Sequence, residues 1–405
     1  MKKLLLKDCK EILTIREDAD DLIGIVSNKS ILIEEDRIKK IDDYSKIDID
    51  SETEVIDCKD KIIMPGYVDC HTHLIFGKSR VDEYAASLTM SAEEVKKKVG
   101  LVGLASSMYS TKNATDEELL QSSLTKLNRM LKTGTTTVEI KSGYGIDKEN
   151  ELRQLRIIKQ MGKYTPQTIL STYLGAHYFD VEMGKEKYIQ YMIDEVMPII
   201  RDEDLAKFCD VWCDDGYYTA EDSRKILSAG LSFGMVPTMH TECYSAIGGA
   251  RVGAELKAAN VGHLNYLEDE DIEYLRDNGV VGVLIPGTDF SVKHHKPFNP
   301  RPMIDKGLII AIATNLNPGN WIESMPLAMS MACRNHGMTP EEAIRAATLG
   351  GAKALKIERD YGSIEEGKFA DIQILESDNY KNCIYKIGVN EVNIIIKKGK
   401  IVFKA

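Results

Sequence analysis

The chain has 405 residues, 43% of them hydrophobic and 28% charged, with 52 Lys plus Arg against 63 Asp plus Glu for a formal net charge of −11. That length exceeds one ordinary domain of about 100 to 150 residues and suits a large barrel with a smaller satellite. The acidic balance disfavours a nucleic-acid partner, and no apolar run approaches the ~18 residues that span a bilayer. The start, Met1 to Asp8, lacks the apolar stretch of a secretory signal, so a cytoplasmic protein without a membrane partner is expected. The eight cysteines are scattered without a CxxC pair, which points to free thiols.

Residues 1–62 read as short β segments, at 31–34, 37–41 and 54–57, separated by polar turns. From 63 to 362 apolar runs alternate with amphipathic helical stretches such as 115–133, 148–161 and 269–278, the pattern of βα units around a parallel sheet. Eight strands are predicted, over 67–75, 136–141, 169–176, 208–214, 235–240, 260–264, 280–286 and 308–315, which favours a (β/α)8 TIM barrel over an open sheet. The stretch 287–302 reads as a long structureless loop over the barrel mouth. The last segment, 363–405, repeats the β texture of the start, with a strand over 371–375 and a hairpin over 392–403 turning at Lys398-Gly399-Lys400. The two ends are therefore expected to build one small composite β-sandwich domain.

Five of the eight histidines, His71, His73, His177, His240 and His263, fall at C-terminal strand ends, which converge on one face of a barrel. Alternate side chains of an extended chain share a face, so His71 and His73 point the same way, as two ligands of one metal must, and His240 offers a third nitrogen. His294, His295 and His336 read as ordinary structural histidines. Cys209 and Cys213 read as buried small hydrophobes, and Lys141 as a member of an interior ion pair.

Pro65-Gly66-Tyr67-Val68-Asp69 before His71-Thr72-His73, together with the closing run from Gly362 to Asp371, resembles the amidohydrolase superfamily. More narrowly, the segments 76–80, 138–145, 174–177, 284–288 and 317–319 resemble the imidazolonepropionases. The resemblance implies a hydrolase that opens a five-membered azolone ring bearing a propionate, converting 4-imidazolone-5-propanoate to N-formimidoyl-L-glutamate. It implies one zinc or iron ion on His71, His73 and His240, with His263 polarising the ring carbonyl or orienting water. Arg80 and Tyr144 would hold the propionate, and His177 and Asn317 would contact the ring. A homodimer is a further implication.

Three positions depart from the family pattern. Asn315 stands where the family has an aspartate that is both metal ligand and base, and an amide carries no charge and cannot act as a base near neutral pH. Cys243 stands where the family has a ring-contacting glutamate, and Ala92 near an expected tyrosine. These changes leave several readings open: an imidazolonepropionase whose base is displaced to Glu242 or His263; a hydrolase of a related thiohydantoin or hydantoin propionate; a metal-free enzyme with Cys243 as nucleophile; or a non-catalytic binder of such a ring. A deliberate change at 315 would leave Cys243 unaccounted for.

Overall fold

A computed structural model describes residues 3–405. The first five strands are β1 (Lys3–Leu13), β2 (Ile25–Glu34), β3 (Arg37–Asp42), β4 (Glu54–Asp57) and β5 (Ile62–Pro65). The central eight are β6 (Tyr67–Asp69), β7 (Thr135–Lys141), β8 (Thr168–Ala176), β9 (Phe208–Cys213), β10 (Val236–Thr241), β11 (Asn260–His263), β12 (Val281–Leu284) and β13 (Ile310–Ile312). Three more close the chain, β14 (Ile372–Leu375), β15 (Val392–Lys397) and β16 (Lys400–Lys404).

Both chain ends contribute to one mixed sheet in the order β16-β15-β14-β5-β1-β2-β3, with β4 also paired to β1. The join is the antiparallel ladder of β14 on β5, from Ile372 opposite Pro65 to Leu375 opposite Ile62. Period-two alternation gives the sheet two apolar faces. Leu4, Leu6, Ile31, Ile33, Ile372 and Ile374 form a core of their own, while Ile62, Met64, Leu375 and Ile395 pack into the barrel's core. The last hairpin turns on Lys398 and Gly399, both at positive φ (46° and 70°), the backbone that a two-residue turn between right-twisted strands requires.

β6 to β13 are all parallel and lie side by side in chain order, the (β/α)8 arrangement expected from the alternating pattern. Their first and last members are tied together at the C-terminal end. The Asn315 N–H donates to the His71 carbonyl at 3.0 Å and the His73 N–H to the Leu316 carbonyl at 2.9 Å. The buried Asp69 carboxylate accepts from both the backbone and the hydroxyl of Thr314, at 3.2 and 2.6 Å. Helices fill the connections, and Asp116–Lys132 starts on a capping box between Thr115 and Glu118. Among the described residues no helix is long and apolar enough to cross a membrane.

Two expectations need correcting. The first barrel strand ends at Asp69, so His71 and His73 lie beyond it, in a stretch that backbone hydrogen bonds tie to Asn315 and Leu316. The 287–302 stretch is not structureless, because Pro286–Ser291 is a short helix. The buried Asp289 carboxylate pins that stretch, accepting from Asn265 Nδ2 at 2.8 Å and the Phe298 N–H at 3.0 Å.

Candidate active site

The C-terminal ends of the barrel strands bring five imidazoles together. His71, His73 and His240 each present a ring nitrogen within 4.8 Å of the others, and all three are buried. Nε2 of His73 lies 3.1 Å from Nε2 of His240. Both nitrogens of His71 and Nδ1 of His73 are buried without a hydrogen-bond partner. Orphaned buried nitrogens converging on one point are costly unless a cation satisfies them, so this donor set fits a divalent metal. Burial, with the neighbouring imidazoles and Lys141, holds His71 and His73 well below the ordinary histidine range, and burial with His240 does the same for His263. The rings are thus neutral, the form that donates a lone pair.

β7 and β9 supply the support. Asp210 on β9 accepts from His240 Nδ1 at 3.0 Å, and its other oxygen accepts from Lys141 Nζ at 2.8 Å. Lys141 also pairs with Glu139 at 2.9 Å, so it sits in the interior ion network expected of it. Burial works against Asp210, but the Lys141 ammonium and His240 more than offset it and hold the carboxyl below its usual range.

Above the histidines lies a cavity of about 250 Å³. The residues expected from the sequence to contact substrate, Arg80, Tyr144, His177 and Asn317, border it, as do His263 and Asn315. His177 Nδ1 bonds the Gly143 carbonyl at 3.1 Å, which places the proton on Nδ1 and leaves Nε2 as an acceptor; burial lowers this histidine to about 3. Arg80 lies against Gly319, where a Cβ would stand only 1.9 Å from Nη2, so the absent side chain makes room for the guanidinium. The Asn317 amide spends itself on its own loop, donating to the Asn315 carbonyl and accepting from the Gly319 and Asn320 N–H groups.

The departures sort differently. Asn315 Nδ2 donates to Thr288 Oγ1 at 2.9 Å, while its Oδ1 is buried and unpartnered. Cys243 borders the cavity, but burial and the nearby carboxylates of Asp214 and Asp289 push its thiol up, opposite to what a nucleophilic thiolate needs. Glu242 turns away from the cavity and accepts from the Ala250 N–H at the start of the helix Gly249–Glu255; burial raises its carboxyl to about 7. Ala92 is exposed on the helix Ala92–Val99 and does not border the cavity. Leu104 and Ser107 of the helix Gly103–Asn113 border it instead, as do Trp212, Tyr217 and Tyr244. None of these five carries a motif in the sequence. Trp212, stacked on Tyr217 at 3.6 Å, stands next to last on β9, and that strand-end position was the available signal.

His294, His295 and His336 have structural partners. His294 accepts the Lys296 N–H at Nδ1, so its Nε2–H donates to the Cys243 carbonyl at 2.9 Å. His295 meets the Tyr266 hydroxyl, and His336 stacks on Phe298 and bonds its carbonyl.

Comparison with known proteins agrees with this architecture. The imidazolonepropionase of Clostridium tetani is 39% identical over 390 residues, covering 94% of this chain and 92% of that one. The imidazolonepropionase of Geobacillus kaustophilus is 37% identical, covering 99% and 98%. The chain belongs to the imidazolonepropionase family. Residues 240–402 match the amidohydrolase family model. A crystal structure of a triazine hydrolase variant shares the fold, with a TM-score of 0.77 at 14% identity over 100% of this chain and 95% of that one. For this family member, membership makes the chain a hydrolase of cyclic-amide C–N bonds, and the His71, His73 and His240 cluster is its place for a divalent metal.

Proposed function

We propose that the protein is an imidazolonepropionase, hydrolysing 4-imidazolone-5-propanoate to N-formimidoyl-L-glutamate. The observation that carries this reading is that one cavity joins a cationic end, Arg80 beside Tyr144, to a wall of neutral imidazoles. A propionate spans toward the first while its ring faces the second.

His71, His73 and His240 hold zinc or iron, the borderline cations that imidazole donors suit. When bound, the ion supplies Lewis acidity toward the ring carbonyl. Arg80 grips the propionate through its planar fork, and the buried Tyr144 hydroxyl donates beside it. His177, held by Gly143, orients the ring with its free Nε2, and Asn317 shapes the loop that borders the ring.

Hydrolysis adds water oxygen to the carbonyl carbon, breaks the C–N bond and delivers a proton to the departing nitrogen. Asn315 cannot accept that proton, and Glu242 does not border the cavity. His263 borders the cavity as a neutral imidazole whose ring makes no hydrogen bond among the described residues; it orients the attacking water and relays its proton to the departing nitrogen without holding it, as its lowered basicity requires. Cys243 widens the wall of the cavity and stays a thiol. Incubation with 4-imidazolone-5-propanoate, followed by mass spectrometry, tests the reading. Formation of N-formimidoyl-L-glutamate is expected, and ring recovered unchanged after prolonged incubation overturns it.

A further inference from the structure

The helix Asp116–Lys132 buries an amine where its neighbours bury hydrocarbon. Lys126 is only 2% exposed, sharing the inward face with Leu119, Ser123, Leu127 and Met130, and its Nζ has no hydrogen-bond partner. A lysine without a partner in such a place is expensive, and packing alone is better served by Leu or Met. What it has instead are two aromatic faces. Nζ lies 3.6 Å from the ring centre of Phe76 and 5.5 Å from that of Trp321. Those two rings meet edge to face, with centroids 5.0 Å apart.

Phe76 opens the segment that ends in Arg80, and Trp321 follows the segment of Asn317 and Gly319. The same two segments touch again where the Arg80 guanidinium fills the space beside Gly319. We propose that Lys126 is a positioning residue that locks these two segments together, its ammonium bridging Phe76 and Trp321 so that Arg80 and Asn317 keep their places at the mouth of the cavity. This rests on the reading that Arg80 holds the substrate's carboxylate. Cation–π attraction grows in a desolvated setting, and Lys126 and Phe76 are both buried, with Trp321 half-exposed beside them.

The charged groups bearing on Lys126 are Glu323, from the Trp321 segment, and Arg129, from its own helix. Glu323 is itself engaged, accepting from Trp321 Nε1 at 2.7 Å and from Arg129 at 3.4 Å. Burial lowers Lys126 to about 7. The lock is therefore mostly charged in mild acid and loses its charge across neutrality.

The test compares wild type, Lys126→Arg and Lys126→Met for turnover of 4-imidazolone-5-propanoate between about pH 6 and 9. In wild type KM rises about 5-fold over that range. Lys126→Arg keeps KM low and level, Lys126→Met keeps it high and level, and kcat follows one pH profile in all three. A wild-type KM rise shared by Lys126→Met, or one KM profile for all three proteins, overturns the proposal. A second readout needs no turnover. With Trp212→Phe as background, Trp321 is the sole tryptophan, and its emission titrates near neutrality with Lys126 present and not in Lys126→Met; emission independent of pH in both also overturns it. Failure of wild type to open the ring, with that titration intact, removes the substrate assignment and leaves the lock standing.

Discussion

The Asp210 carboxylate accepts a hydrogen bond from His240 Nδ1 at 3.0 Å, and that one contact decides which nitrogen of His240 faces the other two histidines. A carboxylate only accepts, so the proton sits on Nδ1 and the lone pair on Nε2, the atom 3.1 Å from His73 Nε2. Asp210 is in turn fixed by the Lys141 ammonium. Replacing such a supporting carboxylate typically costs about 10- to 100-fold in metal affinity. Asp210→Asn should lose metal to a chelator at a concentration that wild type tolerates, as elemental analysis after dialysis will register, with turnover falling in proportion.

The anchoring end of the cavity makes a paired prediction. Arg80→Ala should raise KM for propionate-bearing substrate by roughly 10- to 100-fold, given about 1.5 to 3 kcal/mol for a charged hydrogen bond, with a smaller effect on kcat. Gly319→Ala should do likewise without touching the charge, because the added Cβ occupies the place of Arg80 Nη2. Steady-state kinetics on both variants check this, and unchanged KM in both removes Arg80 from the site.

Cys243→Ser should keep most of the wild-type turnover. Burial and two carboxylates favour the protonated thiol, and protonated sulfur is a poor nucleophile. A fall of more than about 100-fold in kcat, a size ordinarily seen only for groups in direct chemistry, would restore the covalent reading.

Lys126 also leaves a mark on stability. Its folded-state value, about 7, is depressed from 10.5. Between those values the unfolded chain binds the proton that the folded chain has shed, so this residue makes stability rise with pH across that window. Urea unfolding at pH 7 and pH 9 should show wild type gaining on Lys126→Met as pH rises. A constant difference between them contradicts the burial argument.

Much of the barrel was legible because strands buried on both faces read as unbroken apolar runs bounded by turns; seven of the eight central strands begin and end within three residues of their predicted bounds, and the first stops six residues short. β1 was not legible. Leu4-Leu5-Leu6 is followed by Lys7 and Asp8, where the register shifts and Asp8 takes positive φ, so the period-two signal breaks in mid-strand. The histidines were legible because their type is rare and their strand-end placement repeats. Asp210 was not, since a lone acidic residue inside an apolar strand declares no partner until β10 lies beside it with His240 and Lys141 reaches it from the end of β7. Leu104 and Ser107 reach the cavity only through the packing of a helix that no short-range pattern aims.

A three-histidine metal site and opening of the azolone ring stand together in this enzyme's reading, and one preparation tests both. Protein purified without chelator is assayed for metal per chain and, in the same tube, for conversion of 4-imidazolone-5-propanoate before and after chelator treatment. About one zinc or iron per chain, with N-formimidoyl-L-glutamate formed before treatment and lost after it, is the predicted result. Metal-free protein that still opens the ring, or metal-loaded protein that leaves it intact, contradicts a metal-dependent imidazolonepropionase.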